Sequence, residues 1–251
     1  MPRAVKLSKH VLIIGGTRGL GRALVRHFSR DSKVSVIGKN PPAPKDAKAH
    51  VRFWQVDLLN GPQLHSTLNN ILASQGKLHH LIFCQRFQAG KEDWQREIET
   101  SLTATRQIIE RMSGEFDAKA LSPSIVIVSS VADRQIADDQ GIGYHVAKAG
   151  LVQMVRYYAV RFGRKGIRIN AVSPGPFLKE ENRNFYRDNK RQSLHKKIVP
   201  LGRMGRAEDI VPVVSFFCSP SAAFVTGQRL VIDGGLSLVW QESLVRRLKA
   251  N

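Results

Sequence analysis

Tyr144 and Lys148 stand four residues apart, a spacing that puts both side chains on one face of a helix. A phenol whose ordinary pKa is about 10 is a poor base at neutral pH, but a neighbouring ammonium stabilises the phenolate. Such a tyrosine can donate a proton to a carbonyl oxygen or remove one from an alcohol. The spacing is common by chance, so its position in the chain decides its weight. Upstream, the apolar run Ile125 to Val128 ends in Ser129-Ser130, where a hydroxyl can hold a reacting oxygen for the phenol. Nearer the start, Gly15-Gly16-Thr17-Arg18-Gly19-Leu20-Gly21 follows an apolar run and opens the helical stretch Arg22 to Phe28. Glycines there let backbone approach a pyrophosphate, and the free N–H groups of a helix start attract its charge. A tight structural turn is the competing explanation for the glycines.

These groups need a scaffold that gathers them. Apolar, β-branched runs recur along the chain: Val11 to Ile14, Val34 to Ile37, Val51 to Val56, Leu81 to Cys84, Ile125 to Val128, Ile167 to Val172 and Leu230 to Ile232. Their apolarity is continuous rather than alternating, which a parallel sheet covered on both faces requires. The segments between them have helical length and period, most clearly Trp94 to Met112 and Tyr144 to Phe162, with Gly163 and Gly166 as stops for the second. The expected fold is α/β, a doubly wound Rossmann-type parallel sheet with helices on both faces, in one domain spanning 1–251. In such sheets sites gather at the carboxyl ends of the strands, where both Ser130 and the glycine turn fall.

The 251 residues suffice for a large single core without disulfides. The two cysteines, Cys84 and Cys218, show neither zinc nor disulfide-framework spacing, and a reducing compartment fits. No segment is long enough to span a membrane and the first apolar run is too short for a signal sequence, so a cytoplasmic location is expected. Lys and Arg outnumber Asp and Glu by 39 to 20, a formal charge of +19. Residues 161–206 carry 13 of those cations against 3 acids. No helix-turn-helix, RRM or zinc module accompanies the charge, so binding to nucleic acid or an anionic surface would be secondary. An anionic substrate and cofactor, or a solvated basic surface, explain it as well.

A carboxylate at the end of the second strand selects NAD, whereas cations there accept the 2′-phosphate of NADP. The chain reads Ile37-Gly38-Lys39-Asn40, with no acid, and Arg18 supplies a second cation. NADP(H) is therefore the expected cofactor; the alternative is that Lys39 and Arg18 are surface charges. Asp57, after the third strand, is either an adenine-side residue or a loop cap.

The glycine loop with its Gly15, Gly19, Gly21 spacing, Ser129-Ser130, Tyr144 with Lys148, Asn170 to Gly175, and Val225-Thr226-Gly227-Gln228 followed by Asp233-Gly234-Gly235 occur in this order. In this combination the chain resembles the short-chain dehydrogenase/reductase family, from about Lys9 to Leu236, and is similar to 3-oxoacyl-carrier-protein reductases. The resemblance implies a carbonyl reductase or alcohol dehydrogenase working by hydride transfer. It implies that Ser130 holds the substrate oxygen, Tyr144 is the acid/base, and Lys148 also binds the nicotinamide ribose, with Ser129 as a register alternative to Ser130. Cofactor contacts are implied at Gly15, Thr17, Arg18, Gly19, Leu20 and Gly21. Further ones fall at Lys39, Asp57, Leu58, Pro174 and Gly175. The sequence departs from the family where Phe83-Cys84-Gln85-Arg86 stands for an NNAG motif and Ser101 for a relay asparagine. The Thr that usually follows Pro-Gly is also missing. Those losses motivate a competing reading, a protein that binds NADP(H) without turnover.

In the family, the segment after the Pro-Gly motif is a substrate lid. Here 177–199 carries Phe177 together with Lys179, Arg183, Arg187, Lys190, Arg191, Lys196 and Lys197. With Arg86 and Arg134 on loops at the same edge, these cations suggest a small-molecule or carrier-bound substrate that is anionic. A homo-oligomer, tetramer or dimer, is expected through the two long helices, with the tail 237–251 either packed on a neighbour or frayed.

Overall fold

In the computed structural model, which describes residues 9–46, 48–87, 93–178 and 189–249, all seven apolar runs are strands. They are β1 (Lys9–Ile14), β2 (Ser32–Gly38), β3 (Val51–Gln55), β4 (His80–Phe83), β5 (Ser124–Val128) and β6 (Arg168–Pro174). After a small separate pair, β7 (Phe177–Leu178) with β8 (Gly205–Arg206), comes β9 (Arg229–Ile232). The large sheet runs β3-β2-β1-β4-β5-β6-β9 with every neighbouring pair parallel. The strand order therefore reverses between β1 and β4, the place where sheets of this kind bind ligands, outside the carboxyl ends of the two strands.

Helices cover both faces. These are α1 (Gly19–Phe28), α2 (Gly61–Gln75), α3 (Trp94–Ile98), α4 (Ala104–Met112), α5 (Ile142–Gly163), α6 (Asn189–Ile198), α7 (Ala207–Phe217) and α8 (Gln241–Lys249). Leu12 and Ile14 of β1 join a core with Leu68 of α2, Ile108 of α4 and Val155 of α5. Val11 and Ile13 of the same strand join the opposite core with Leu24 of α1 and Val214 of α7. Both faces of β1 are thus dry, which is why its sequence is apolar without alternation. The helix expected over Trp94 to Met112 is interrupted: α3 and α4 are joined by one π-helical turn, Glu99–Thr103. Such a turn carries one extra residue per hydrogen-bonded loop and occurs often near functional sites.

At the amino ends of the strands, buried polar residues close on one another. The His10 ring donates from Nδ1 to the Gly76 carbonyl (2.9 Å), and its Nε2 accepts from the Ser35 hydroxyl (2.7 Å). His80 Nδ1 lies 2.9 Å from Ser124 Oγ. Arg168 donates to Ser122 Oγ at 2.6 Å. Burial pushes His10 down from the ordinary histidine value of 6.5 to about 4 and His80 to about 3. No helix among the described residues is long and apolar enough to cross a membrane. Nor do the described residues hold a group of His, Cys, Asp or Glu fit to bind a metal.

Candidate active site

The chain turns from β1 into α1 through Gly15, at φ +80, and Gly19, at φ +50. A Cβ on Gly15 would lie 2.6 Å from the Gln85 backbone nitrogen, and one on Gly21 only 2.1 Å from the Gly15 carbonyl. Both positions exclude any larger residue, so the turn can sit flat under an approaching ligand. α1 begins without a side-chain cap and with no acid in its first turn. The helix dipole favours an anion at such a start. Leu20 at this helix start is buried in the core of α1 and α7. An uncapped helix start over a glycine cradle fits the pyrophosphate of a dinucleotide. Thr17 is buried with its methyl against Gly38, and Arg22 donates to the Thr17 carbonyl at 3.2 Å.

The two cations expected at the 2′-phosphate are not equivalent. Arg18 is exposed at the helix start. Lys39 instead pairs with Asp57, Nζ to Oδ2 at 2.9 Å. That hydrogen bond, then the one from the Leu59 backbone, holds the Asp57 carboxyl below its ordinary range. The sequence reading treated Lys39 and Asp57 as separate contacts; they meet because β2 and β3 are paired side by side. Leu58 next to them packs half-buried on the sheet. Pro174 ends β6, and the Gly175 N–H donates to Ile232, with Asp233 too close to admit a side chain at Gly175.

The residues expected to react gather near the ends of β4 and β5. The Ser129 hydroxyl is buried and donates to the Lys148 carbonyl at 2.9 Å. Ser130 caps a short 3-10 turn, Val131–Asp133, its Oγ accepting from the Ala132 N–H at 3.2 Å. Since Oγ accepts there, its proton is available to donate outward. Lys148 is buried on α5, with Nζ 3.4 Å from the Val128 carbonyl and 5.5 Å from the centre of the Tyr144 ring. Tyr144, half-buried, has a second cation against the same ring: Arg86 Cζ at 5.2 Å, its guanidinium held by Gln140 Oε1 at 2.8 Å. Arg86 stands in the turn after β4, within the Phe83-Cys84-Gln85-Arg86 segment that departs from the NNAG pattern. Cys84, before it, is a thiol that burial pushes up to about 12, too high for a nucleophile at neutral pH.

Other expected residues lie differently. Ser101, in the π turn, donates to Glu97 at 2.6 Å and is buried, and its carbonyl accepts from Thr105. Gln85, from the altered turn, donates to that same Thr105 at 2.6 Å, so the hydrogen bonds run along α4 and engage both polar groups of Ser101. Phe177 packs half-buried beside β8. Arg134 is exposed just past the Ser130 turn. Of the basic segment, Lys179, Arg183 and Arg187 lie outside the described residues, while Lys196 and Lys197 are exposed in the last turn of α6.

Sequence reasoning missed an ion pair. Asp133, closing the Ser130 turn, meets Arg229 of β9 through two hydrogen bonds and accepts a third from Ser173 at 2.8 Å. Nothing local in the sequence signals it, since the partners are 96 residues apart.

Comparison with known proteins agrees with this fold. Residues 15–237 match the family model described as enoyl-(acyl carrier protein) reductase. The 3-oxoacyl-[acyl-carrier-protein] reductase FabG of Chlamydia pneumoniae is 28% identical over 250 residues, covering 92% of this chain and 98% of that protein. Glucose 1-dehydrogenase 2 of Bacillus subtilis is 25% identical over 248 residues, covering 92% and 95%. Among solved structures, the ligand-free aldohexose dehydrogenase of Thermoplasma acidophilum superposes with a TM-score of 0.82 at 23% identity, covering 93% of this chain and 96% of that one.

Proposed function

The chain belongs to the short-chain dehydrogenase/reductase family of oxidoreductases, and from that premise we propose that it is an NADP(H)-dependent carbonyl reductase acting on an anionic or carrier-bound substrate. The observation that carries the reading is the Tyr144 ring with both Lys148 and Arg86 close to it, beside the Ser130 turn. In this reading the Ser130 hydroxyl donates to the substrate oxygen and fixes it near the phenol. Tyr144 then transfers its proton to that oxygen as the carbonyl is reduced, and takes it back in the reverse direction. The buried Lys148 ammonium stabilises the phenolate left behind. The bound NADP(H) supplies or accepts the hydride. Gly15, Gly19, Leu20 and Gly21 offer backbone to its pyrophosphate. Thr17, Pro174 and Gly175 form walls of the crevice, and Lys148 doubles as a ribose donor. Arg18 is the main contact for the 2′-phosphate; Lys39 contributes less because Asp57 holds it, and Asp57 with Leu58 borders the adenine.

The anionic substrate is supported by Arg86, a guanidinium that stacks on the reacting phenol and keeps donors for a carboxylate or phosphate. Exposed Arg134, Lys196 and Lys197 add positive field at the same edge, and Phe177 offers an apolar contact. Ser101 has no part in proton transfer in this reading, because Glu97 and Thr105 engage it. Assembly into a homo-oligomer is supported by an exposed apolar stripe along α5, Ile142, Val146, Tyr157 and Val160, at helical spacing.

The test follows NADPH oxidation with S-acetoacetyl coenzyme A and with neutral ethyl acetoacetate at low ionic strength. The expected result is a higher kcat/KM for the anionic thioester, with a difference that Arg86→Ala narrows even at high salt. Equal efficiency toward the two compounds overturns the anionic substrate. Tight NADPH binding with no oxidation by either compound favours the non-catalytic reading instead.

A further inference from the structure

The turn that carries Ser130 is anchored unevenly. On its upstream side the Ser129 N–H donates to Val172 of β6 at 2.8 Å, and the Ser129 hydroxyl to Lys148 of α5. On its downstream side the chain passes to Arg134, Gln135 and Ile136, all exposed. Between them stands Asp133, whose N–H donates to the Ser130 carbonyl at 3.1 Å and whose carboxylate is fixed by Arg229 and Ser173.

The position of this pair is informative. The Asp133 side chain is 1% exposed and the Arg229 side chain 11%, so both ions have left water. A buried ion pair is a poor way to gain stability, since apolar residues of the same volume do as well or better. The sheet does not need it either, because β9 is already paired to β6 from Ala171 to Pro174. What a two-pronged guanidinium–carboxylate contact provides is a fixed angle and distance. Here it fixes the residue that closes the Ser130 turn.

We propose that Asp133 and Arg229 are positioning residues for the Ser130 hydroxyl, tying the turn that aims it to the edge strand β9. The pair touches neither substrate nor cofactor and acts through the backbone of residues 130–133. The inference rests on the proposed role of Ser130. A carbonyl oxygen reacts only when held close to the line of approach, and a displacement of about 1 Å from a remote change costs on the order of a hundredfold in rate. Loosening the turn therefore lowers kcat more than it changes substrate or cofactor binding.

The experiment is a mutant cycle read with NADPH and S-acetoacetyl coenzyme A at 25 °C, alongside thermal melting and NADPH titration. The double variant Asp133→Leu with Arg229→Met removes both charges together, so no unpaired ion remains buried. Its expected kcat is lower by about ten- to a hundredfold, with the NADPH dissociation constant within about twofold of the parent. Arg229→Lys keeps the charge and loses the second prong, and an intermediate kcat is expected. It also serves if the double variant does not fold. The decisive arm adds the double change to Ser130→Ala: a positioning role predicts almost no further loss, because the group being aimed is gone. A purely structural role predicts that the two losses multiply, or that only the melting temperature moves; either result overturns the proposal. If Ser130→Ala alone retains full turnover, the role given to Ser130 is wrong and the proposal falls with it. A loss with Ser130→Ala but none with the double variant or Arg229→Lys overturns the positioning role alone.

Discussion

At the amino edge of the sheet, the His10 ring is closed between Ser35 and the Gly76 carbonyl, and His80 faces Ser124. At the carboxyl edge, Lys148 is as deeply buried, yet it donates to the backbone carbonyl of Val128 and the Tyr144 ring lies beside it. Both edges bury polar side chains at strand ends, where the ladder stops and backbone groups emerge. They differ in what the hydrogen bonds leave over. The amino edge closes its side chains on one another and on the Gly76 carbonyl, and holds its histidines neutral. The carboxyl edge uses backbone acceptors and donors, through Val128, the Lys148 carbonyl and the Ala132 N–H, and places the Ser130 turn, the half-buried Tyr144 and the exposed Arg18 and Arg86 at the strand ends. In the proposed reading, one edge holds the sheet together and the other carries the chemistry.

The largest expected effect separates the two edges by kind. Tyr144→Phe removes a proton donor on a half-buried ring, so turnover falls by about a hundredfold or more while the melting temperature and NADPH affinity stay near the parent. Steady-state kinetics beside a thermal melt checks this, and near-normal turnover contradicts the contrast at its centre.

The next effect belongs to the amino edge and is read as stability against pH. His10 and His80 titrate in the folded chain at about 4 and about 3, below the 6.5 of an ordinary histidine. Above about pH 6.5 both rings are neutral, folded or unfolded, and their contribution to stability is complete. Below it the unfolded chain takes up protons that the folded chain refuses, so stability declines as the pH falls toward about 4 and then about 3. At about 1.4 kcal/mol per unit for each ring, the loss down to about pH 5 is on the order of a few kcal/mol. Melting temperatures should hold from pH 7.5 to about 6.5 and fall from there to about pH 5, and a flat profile would mean that the histidine network does not hold that edge.

A smaller effect lies within the carboxyl edge. Arg18→Ala should weaken NADPH binding about tenfold, the scale of one charge-assisted hydrogen bond, and leave NADH unchanged. Lys39→Ala should cost about twofold, because its partner Asp57 already engages the ammonium. The smallest change is Asp57→Asn, which releases Lys39 and should raise NADPH affinity by about twofold, since exposed ion pairs are weak. Fluorescence titration with both cofactors measures all three, and equal losses from Arg18→Ala and Lys39→Ala would show that the Lys39–Asp57 pair opens for the ligand.

The seven strands, the long helix of Tyr144 and Lys148, and the glycine turn were legible in the sequence because each is a local pattern. Continuous apolarity, a four-residue spacing and glycines at a strand-to-helix junction are written within a dozen residues. The same locality explains the helix that was read only in part. Trp94 to Met112 has helical period throughout, but the extra residue of the π turn at Glu99–Thr103 leaves no mark in a pattern of apolar positions. The choice between Ser129 and Ser130 also stood open in the sequence. In the fold, the hydroxyl of Ser129 is turned inward to Lys148 and that of Ser130 caps a turn at the edge.

What only the tertiary structure decided is which charged residue meets which. Lys39 and Asp57 pair because β2 and β3 are neighbours, Arg86 stacks on Tyr144 because β4 ends opposite the start of α5, and Asp133 finds Arg229 across 96 residues. An ion's partner depends on strand order and crossover, which no local window contains. The sequence by itself determined the strands, the glycine turn and the residue types that could do the chemistry. The fold determined which of those side chains are engaged by a neighbour and which remain directed at the crevice, because long-range packing sets the distances on which electrostatic and hydrogen-bond energies depend.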